Sequence, residues 1–374
     1  MTIKALTTAG LLFFFIFSRP AVAAQRPDSL SVKIGQMLMI GFRGTSLDNA
    51  PEIAADITRR RIGGVVLFDY DVPAHSPSRN IVSPQQLASL TLELQKLANI
   101  PLFIAIDQEG GKVSRLKQAK GFPSSVSAAY LGKLNNPDTT TTAAVQTAQT
   151  LKAMHISMNF GPVADLNSNP DNPVIGRLGR SFSPDPSIVI SNLQLIIQAY
   201  HNNGIIATLK HFPGHGSSTT DTHRDFTDIT ASWSEQELEP YRALIASGYS
   251  DAIMTAHVFN AKLDTLYPAT LSKQTLTGLL RDKLHFKGVI VSDDMQMKAI
   301  ADRYGLETAV QLAIEAGVDL LLFGNNTSYD PAIASKAAEI IRSLLQKRII
   351  TPERIDQSYQ RIMVLKNRYR SNDK

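Results

Sequence analysis

Eight short, unbroken apolar runs constrain this chain more than any other feature. They are Met37–Gly41, Gly64–Phe68, Leu102–Asp107, Met158–Val163, Ile205–Leu209, Ala252–His257, Gly288–Ser292 and Asp319–Gly324. Each is continuous rather than alternating, as parallel strands buried on both faces must be. Between them run segments of helical period. Gln85–Leu97 carries Leu87, Leu90, Leu92 and Leu94 among polar residues, and Ile188–Tyr200 is apolar at helical spacing. Ser29–Gln36 reads as a short leading helix, and Leu306–Ala316 runs into Gly317, a helix stop. Ser234-Glu-Gln-Glu237 has the form of a capping box. Eight strands alternating with helices predict an α/β protein, a single (β/α)8 barrel of the TIM type. A doubly wound sheet is the alternative, but no dinucleotide fingerprint follows the first strand.

The remaining composition narrows the function. At 43% apolar and 19% charged, the chain has enough hydrophobic material for a substantial core. Lys4, the apolar run Leu11–Phe17 and the small-x-small site Ala21-Val-Ala23 predict a signal peptide over residues 1–24, leaving 25–374 as one catalytic barrel. The formal charge of +5 falls by two, to +3, without Lys4 and Arg19. So weak and scattered an excess argues against a nucleic-acid partner. The run Leu11–Phe17 is short of the ~20 apolar residues that a membrane span requires, so no stable insertion is expected. With no cysteine, a disulfide framework, a thiol nucleophile and a thiolate metal site are all excluded.

Chemistry-bearing side chains collect where the predicted strands end, the face on which barrels build their sites. Strand three leads to Asp107, strand four to Asp165 and then Arg180, and strand five to Lys210, His211, His215, Asp221 and His223. Strand six leads to His257, and strand seven to Asp293 and Asp294. Asp221-Thr-His223 follows a Gly/Ser/Thr loop. It reads either as a turn or as a proton-transfer pair in which the Asp orients the imidazole. Asp293-Asp294 reads as a helix cap plus one carboxylate at the barrel mouth, because neighbours in extended chain point to opposite faces. Lys210-His211 and the pair Asp107/Arg180 read either as structural ion pairs or as donors and acceptors for substrate hydroxyls. His211, His215, Asp221 and His223 have metal-ligating side chains, but their spacing fits no familiar motif.

Taken together, Lys210-His-Phe-Pro-Gly-His-Gly216 followed by Asp221-Thr-His223 resembles the signature of family 3 glycoside hydrolases, in their β-N-acetylhexosaminidase branch. Asp107-Gln-Glu-Gly-Gly-Lys-Val-Ser-Arg115, Arg180-Ser-Phe182, Thr255-Ala-His257, Pro268-Ala-Thr-Leu-Ser272 and Gly288-Val-Ile-Val-Ser-Asp-Asp294 fit the same branch in the same order. The resemblance implies a retaining exo-β-N-acetylglucosaminidase acting on oligosaccharides with a terminal N-acetylhexosamine. Asp293 would be the nucleophile, and His223, held by Asp221, the acid/base. Asp107, Arg180, Lys210 and His211 would hold the sugar, with Arg115 and His257 also at the substrate. No metal or organic cofactor is implied. Export would make peptidoglycan fragments or chitin-type oligosaccharides the substrates. A β-glucosidase or phosphorylase of the same family is the related alternative, and a non-catalytic glycan-binding barrel the alternative of another class. Ser217, the Arg177-Leu-Gly179 segment and Arg224-Asp-Phe226 depart from the branch pattern.

Overall fold

The computed structural model describes residues 29–222 and 226–370. The predicted signal segment and His223 lie outside these residues. Eight parallel strands form the central sheet: β1 (Leu38–Gly41), β2 (Gly64–Leu67), β3 (Phe103–Ile106), β4 (Met158–Asn159), β5 (Ile206–Phe212), β6 (Ala252–Thr255), β7 (Val289–Val291) and β8 (Leu321–Phe323). Each pairs with the next in chain order up to β7, and β8 pairs with β1. A bridge between Val291 and Leu320 joins β7 to the β8 segment and closes the circle. Every one of the eight predicted runs overlaps one barrel strand, and every strand residue of β1, β2, β3, β5, β6, β7 and β8 is buried.

Two strands depart most from the prediction at their C-terminal ends. β4 stops at Asn159, four residues short of the predicted Val163, because Pro162 has no N–H to offer a ladder. Pairing resumes only as a single bridge from Val163 to Lys210. β5 runs three residues further than predicted and carries a register shift between Leu209 and Phe212. A bulge of this kind re-aims side chains at a barrel rim, and here it falls on Lys210 and His211.

The outer layer contains α1 (Ser29–Gln36), α2 (Pro84–Leu97), α3 (Pro137–Ala153), α4 (Pro186–Asn202), α5 (Glu239–Ala246), α6 (Lys298–Ala316) and α7 (Ile333–Gln346). In α2, Ser83 caps the Gln86 amide, and Leu87, Leu90, Thr91 and Leu94 face inward at helical spacing. Leu92 points to solvent instead. α6 ends at Gly317, whose φ of 120° a side chain would oppose. The predicted capping box does not form: Ser234 makes no side-chain cap bond. Glu237 is buried, with its carboxylate turned toward the Gly216 amide, so a tertiary partner replaces the local one.

The last helix, α8 (Pro352–Arg370), crosses the N-terminal end of the barrel. Arg361 and Ser358 bond the buried Asp319 ahead of β8, and Arg368 and Tyr369 bond the buried Asp251 ahead of β6. Lys366 donates to Gln36 and the Gly63 carbonyl. This clamp shuts the lower end and leaves the C-terminal rim for chemistry. Among the described residues, no helix is long and apolar enough to cross a membrane.

Candidate active site

A cavity of about 580 Å³ opens at the C-terminal rim. Its apolar surfaces come from Val66, Phe68, Phe160, Met254, Met297 and Leu322, and Tyr70, Val72, Val174 and Leu178 also border it. Asp107, Arg115, Arg180, Lys210, His211, Asp221, Asp293 and Asp294 line it as well. Seven of the nine residues singled out from the sequence therefore meet around one space. His223 lies outside the described residues, and His257 does not line the cavity.

The charged wall is a continuous chain. Lys210 Nζ lies 2.7 Å from Asp107 Oδ1 and 2.7 Å from Glu109 Oε1. Arg180 grips Glu109 bidentately, Nε to Oε2 at 2.8 Å and NH2 to Oε1 at 2.7 Å. Its NH2 also approaches His211 Nε2 at 3.3 Å. His211 Nδ1 lies 2.7 Å from Asp165 Oδ2. Arg180 has only N–H donors, so the Nε2 facing it accepts and Nδ1–H donates to Asp165; this fixes the neutral tautomer. Arg115 reaches Asp107 at 3.5 Å. Asp107 and Arg180 do not pair with each other, so the ion pair weighed from the sequence is replaced by two pairs joined through Lys210 and Glu109.

These groups set one another's charge. Burial disfavours the ionised Glu109, but Arg180 and Lys210 outweigh it and hold the carboxyl at about 2. Burial likewise pushes Asp107 up, and Lys210 with Arg115 bring it below its ordinary value. Asp165 is raised by burial and lowered further by His211, ending below its ordinary value. His215 behaves oppositely: burial, with His211 alongside, lowers it to about 4, so this imidazole is neutral at neutral pH.

The two adjacent acids after β7 take different parts. Asp294 is a turn-capping group: its Oδ1 accepts from the Gln296 amide at 3.0 Å and from the Gly324 amide at 2.9 Å. Asp293 Oδ1 accepts from the Asp294 amide at 2.8 Å. His257 is fully buried beside them, with Nδ1 2.8 Å from Thr270 Oγ1 and Nε2 3.0 Å from the Asp294 carbonyl. It therefore supports the backbone of the Asp293–Asp294 turn instead of lining the substrate space.

Glu109, which the sequence reading gave no role, and Asp165, which it placed at the end of strand four without one, back the wall. Asp107 and Glu109 are two apart in extended chain, so both reach one face. That signal was available in Asp107-Gln-Glu109 itself. His211 and His215 stand edge to face at 5.8 Å and have separate protein partners, Asp165 and Ser218. Among the described residues, no three acidic or histidine side chains gather as metal ligands.

The comparisons agree with this geometry. The family model described as the glycosyl hydrolase family 3 N terminal domain matches residues 29–365. The β-hexosaminidase A of Pseudoalteromonas piscicida is 35% identical over 343 residues, covering 82% of this chain and 56% of that protein. A β-hexosaminidase of Tolumonas auensis is 38% identical over 301 residues, covering 79% of this chain and 85% of that protein. The structure of a glycoside hydrolase family 3 β-N-acetylglucosaminidase from Paenibacillus sp. str. FPU-7 superposes with a TM-score of 0.83 at 35% identity, covering 92% of this chain and 63% of that one. This chain thus spans less than two thirds of the Pseudoalteromonas and Paenibacillus proteins and most of the Tolumonas one. With a barrel closed at its lower end, an acid-lined cavity at its upper rim and a family match along nearly its whole length, the chain belongs to glycoside hydrolase family 3.

Proposed function

We propose that this chain is a retaining exo-β-N-acetylglucosaminidase that removes terminal N-acetylglucosamine from an oligosaccharide. The observation that carries this reading is that Asp293 and Asp221 border the same cavity as Asp107, Arg180, Lys210 and His211. A cavity of about 580 Å³ suits a single sugar ring and the start of its aglycone. The charged wall offers fixed donors and acceptors for ring hydroxyls, and Phe68, Phe160 and Met254 offer apolar surface to the ring faces. The relatives named above are β-hexosaminidases and a β-N-acetylglucosaminidase.

The mechanism runs in two displacements. Protonated His223, oriented by Asp221, gives its proton to the glycosidic oxygen while an Asp293 oxygen attacks the anomeric carbon. The C–O bond to the aglycone breaks and a glycosyl ester of Asp293 forms. Neutral His223 then takes a proton from water, whose oxygen attacks the same carbon and expels the Asp293 carboxylate. Two inversions leave the anomeric configuration retained. General acid/base help of this kind contributes ~10²–10⁴-fold. Lys4, Leu11–Phe17 and Ala21-Val-Ala23 support export, and export favours peptidoglycan fragments or chitin-type oligosaccharides as substrates.

Turnover of nitrophenyl β-N-acetylglucosaminide beside the matching glucoside tests the proposal, with the first-formed anomer followed by NMR. The N-acetyl substrate alone should be cleaved, with the β-anomer released first. Asp293→Ala should be inactive, and EDTA should have no effect. A folded wild type that cleaves neither sugar, or an active Asp293→Ala, would overturn it.

A further inference from the structure

The turn from His211 to Ser218 joins β5 to the segment that carries Asp221 and His223. Asp165, Asn172 and Glu237 are among the side chains that hold this turn, beside Trp233 on the Pro213 carbonyl and Asn169 on the Ser218 carbonyl. Asp165 Oδ1 accepts from the amides of His211 at 3.1 Å and His215 at 2.8 Å. Asn172 Nδ2 donates to the carbonyls of His215 at 2.7 Å and Gly216 at 3.1 Å, and to Ser218 Oγ at 3.0 Å. Glu237 Oε2 accepts from the Gly216 amide at 3.0 Å. The first two come from the loop after β4. The third comes from the 3-10 turn Glu235–Leu238, ahead of α5.

Glu237 fits the turn closely. The residue is 1% exposed. A methyl group at Gly214 would lie 2.6 Å from its Cβ and 2.6 Å from its Oε2. Gly216 is equally confined, since a Cβ there would meet the Leu166 carbonyl oxygen at 1.7 Å. The turn can therefore sit only where Leu166 and Glu237 leave room for it. We propose that Glu237 is a positioning residue, which sets the seat of the Gly214–Ser217 turn and thereby the reach of Asp221 into the cavity. The proposal rests on the reading of His223 as the acid/base.

The groups facing Glu237 make this seat responsive to charge. Burial pushes its carboxyl up, the Ser217 hydroxyl opposes that, and Asp165 pushes it up again, leaving it at about 7. Tyr241, one helical turn on, also faces this carboxyl, and its phenol stays protonated. Near neutral pH the carboxyl exchanges between a charged form, which grips the Gly216 amide strongly, and a neutral form, which grips it less.

The test compares two substrates that share N-acetylglucosamine and differ in their need for a proton. A dinitrophenyl aglycone leaves unaided, whereas the sugar aglycone of chitobiose must be protonated as it departs. For the full chain bearing Glu237→Gln, an isostere that keeps an acceptor for Gly216, kcat/KM on chitobiose should fall about 10-fold, and for Glu237→Ala about 100-fold, within the ~10²–10⁴-fold that general acid catalysis supplies. The loss on the dinitrophenyl substrate should be several-fold smaller for each. The limb near pH 7 in the chitobiose profile should also move in Glu237→Gln. Equal losses on the two substrates, or an unchanged chitobiose profile in a folded Glu237→Gln, would overturn the positioning role while leaving the proposed activity standing. A wild type that cleaves neither substrate overturns both.

Discussion

Glu109 takes two hydrogen bonds from Arg180, at 2.8 and 2.7 Å, and a third contact from Lys210 at 2.7 Å. One carboxylate thus spaces two cations on the cavity wall, and with side-chain exposures of 5% for Glu109 and 11% for Arg180 the pair is largely dry. Removing the acid would leave two buried positive charges, and breaking a buried pair costs about 3 kcal/mol or more. Glu109→Gln should lower stability by about that amount and kcat/KM by ~10²-fold, since displaced wall groups lose their alignment. Its folded carboxyl, at about 2, lies below the ordinary 4.5. The stabilisation is therefore fully present above about pH 4.5 and drains away as pH falls toward 2. Thermal unfolding of both proteins across that window checks this. A gap that does not narrow on acidification would refute it.

The Asp165–His211 contact, 2.7 Å from Oδ2 to Nδ1, determines which imidazole nitrogen faces Arg180. Asp165→Asn would offer either an amide N–H to Nδ1 or a flipped side chain that loses the amides of His211 and His215. The first outcome moves the imidazole proton to Nε2, where it meets the Arg180 donors. We expect kcat/KM to drop by ~10²-fold with the fold retained, an effect of the size seen when ligand-orienting partners are lost. Circular dichroism with steady-state kinetics separates this from unfolding, and full activity in a folded variant would rule out the orienting role.

Much of the barrel was legible because parallel strands are buried on both faces and so write unbroken apolar runs. The side-chain partnerships were not legible in the same way. Asp107 and Arg180 were visible as a possible pair, but Arg180 reaches Glu109 instead, because separate loops meet only in the closed barrel. Glu237 looked like half of a capping box, since the local pattern says nothing of the buried turn it faces. His257 ends an apolar run as a site residue would, yet the backbone past β6 aims it beneath the Asp294 carbonyl. Spacing reports which face a side chain takes, whereas depth below the rim depends on packing from neighbouring strands.

From that depth follows a prediction for His257. Its ring bridges Thr270 Oγ1 and the Asp294 carbonyl, so it braces the turn that presents Asp293. Its loss should disturb the position of the attacking oxygen more than the hold on the sugar. His257→Ala should lower kcat by ~10–100-fold, the scale of a displaced reactive group, with KM changed much less. A rise in KM at constant kcat would return His257 to a substrate-binding role.

Glu237 gives the reverse pH signature to Glu109, and the two can be read in one experiment. Its folded carboxyl is raised to about 7 from an ordinary 4.5. Burial favours the protonated form, so the stability it lends is complete below about pH 4.5 and is lost as pH rises through about 7. The loss is on the order of 3 kcal/mol, since each tenfold change in proton affinity is worth about 1.4 kcal/mol. Glu237→Gln cannot ionise and escapes this loss. Its thermal midpoint should gain on the wild type steadily between pH 4.5 and 7 and hold a constant lead above that. A difference independent of pH over this range would mean that the Glu237 carboxyl ionises within the fold as it does in the unfolded chain. The Gly216 amide would then face a charged carboxylate throughout the neutral range.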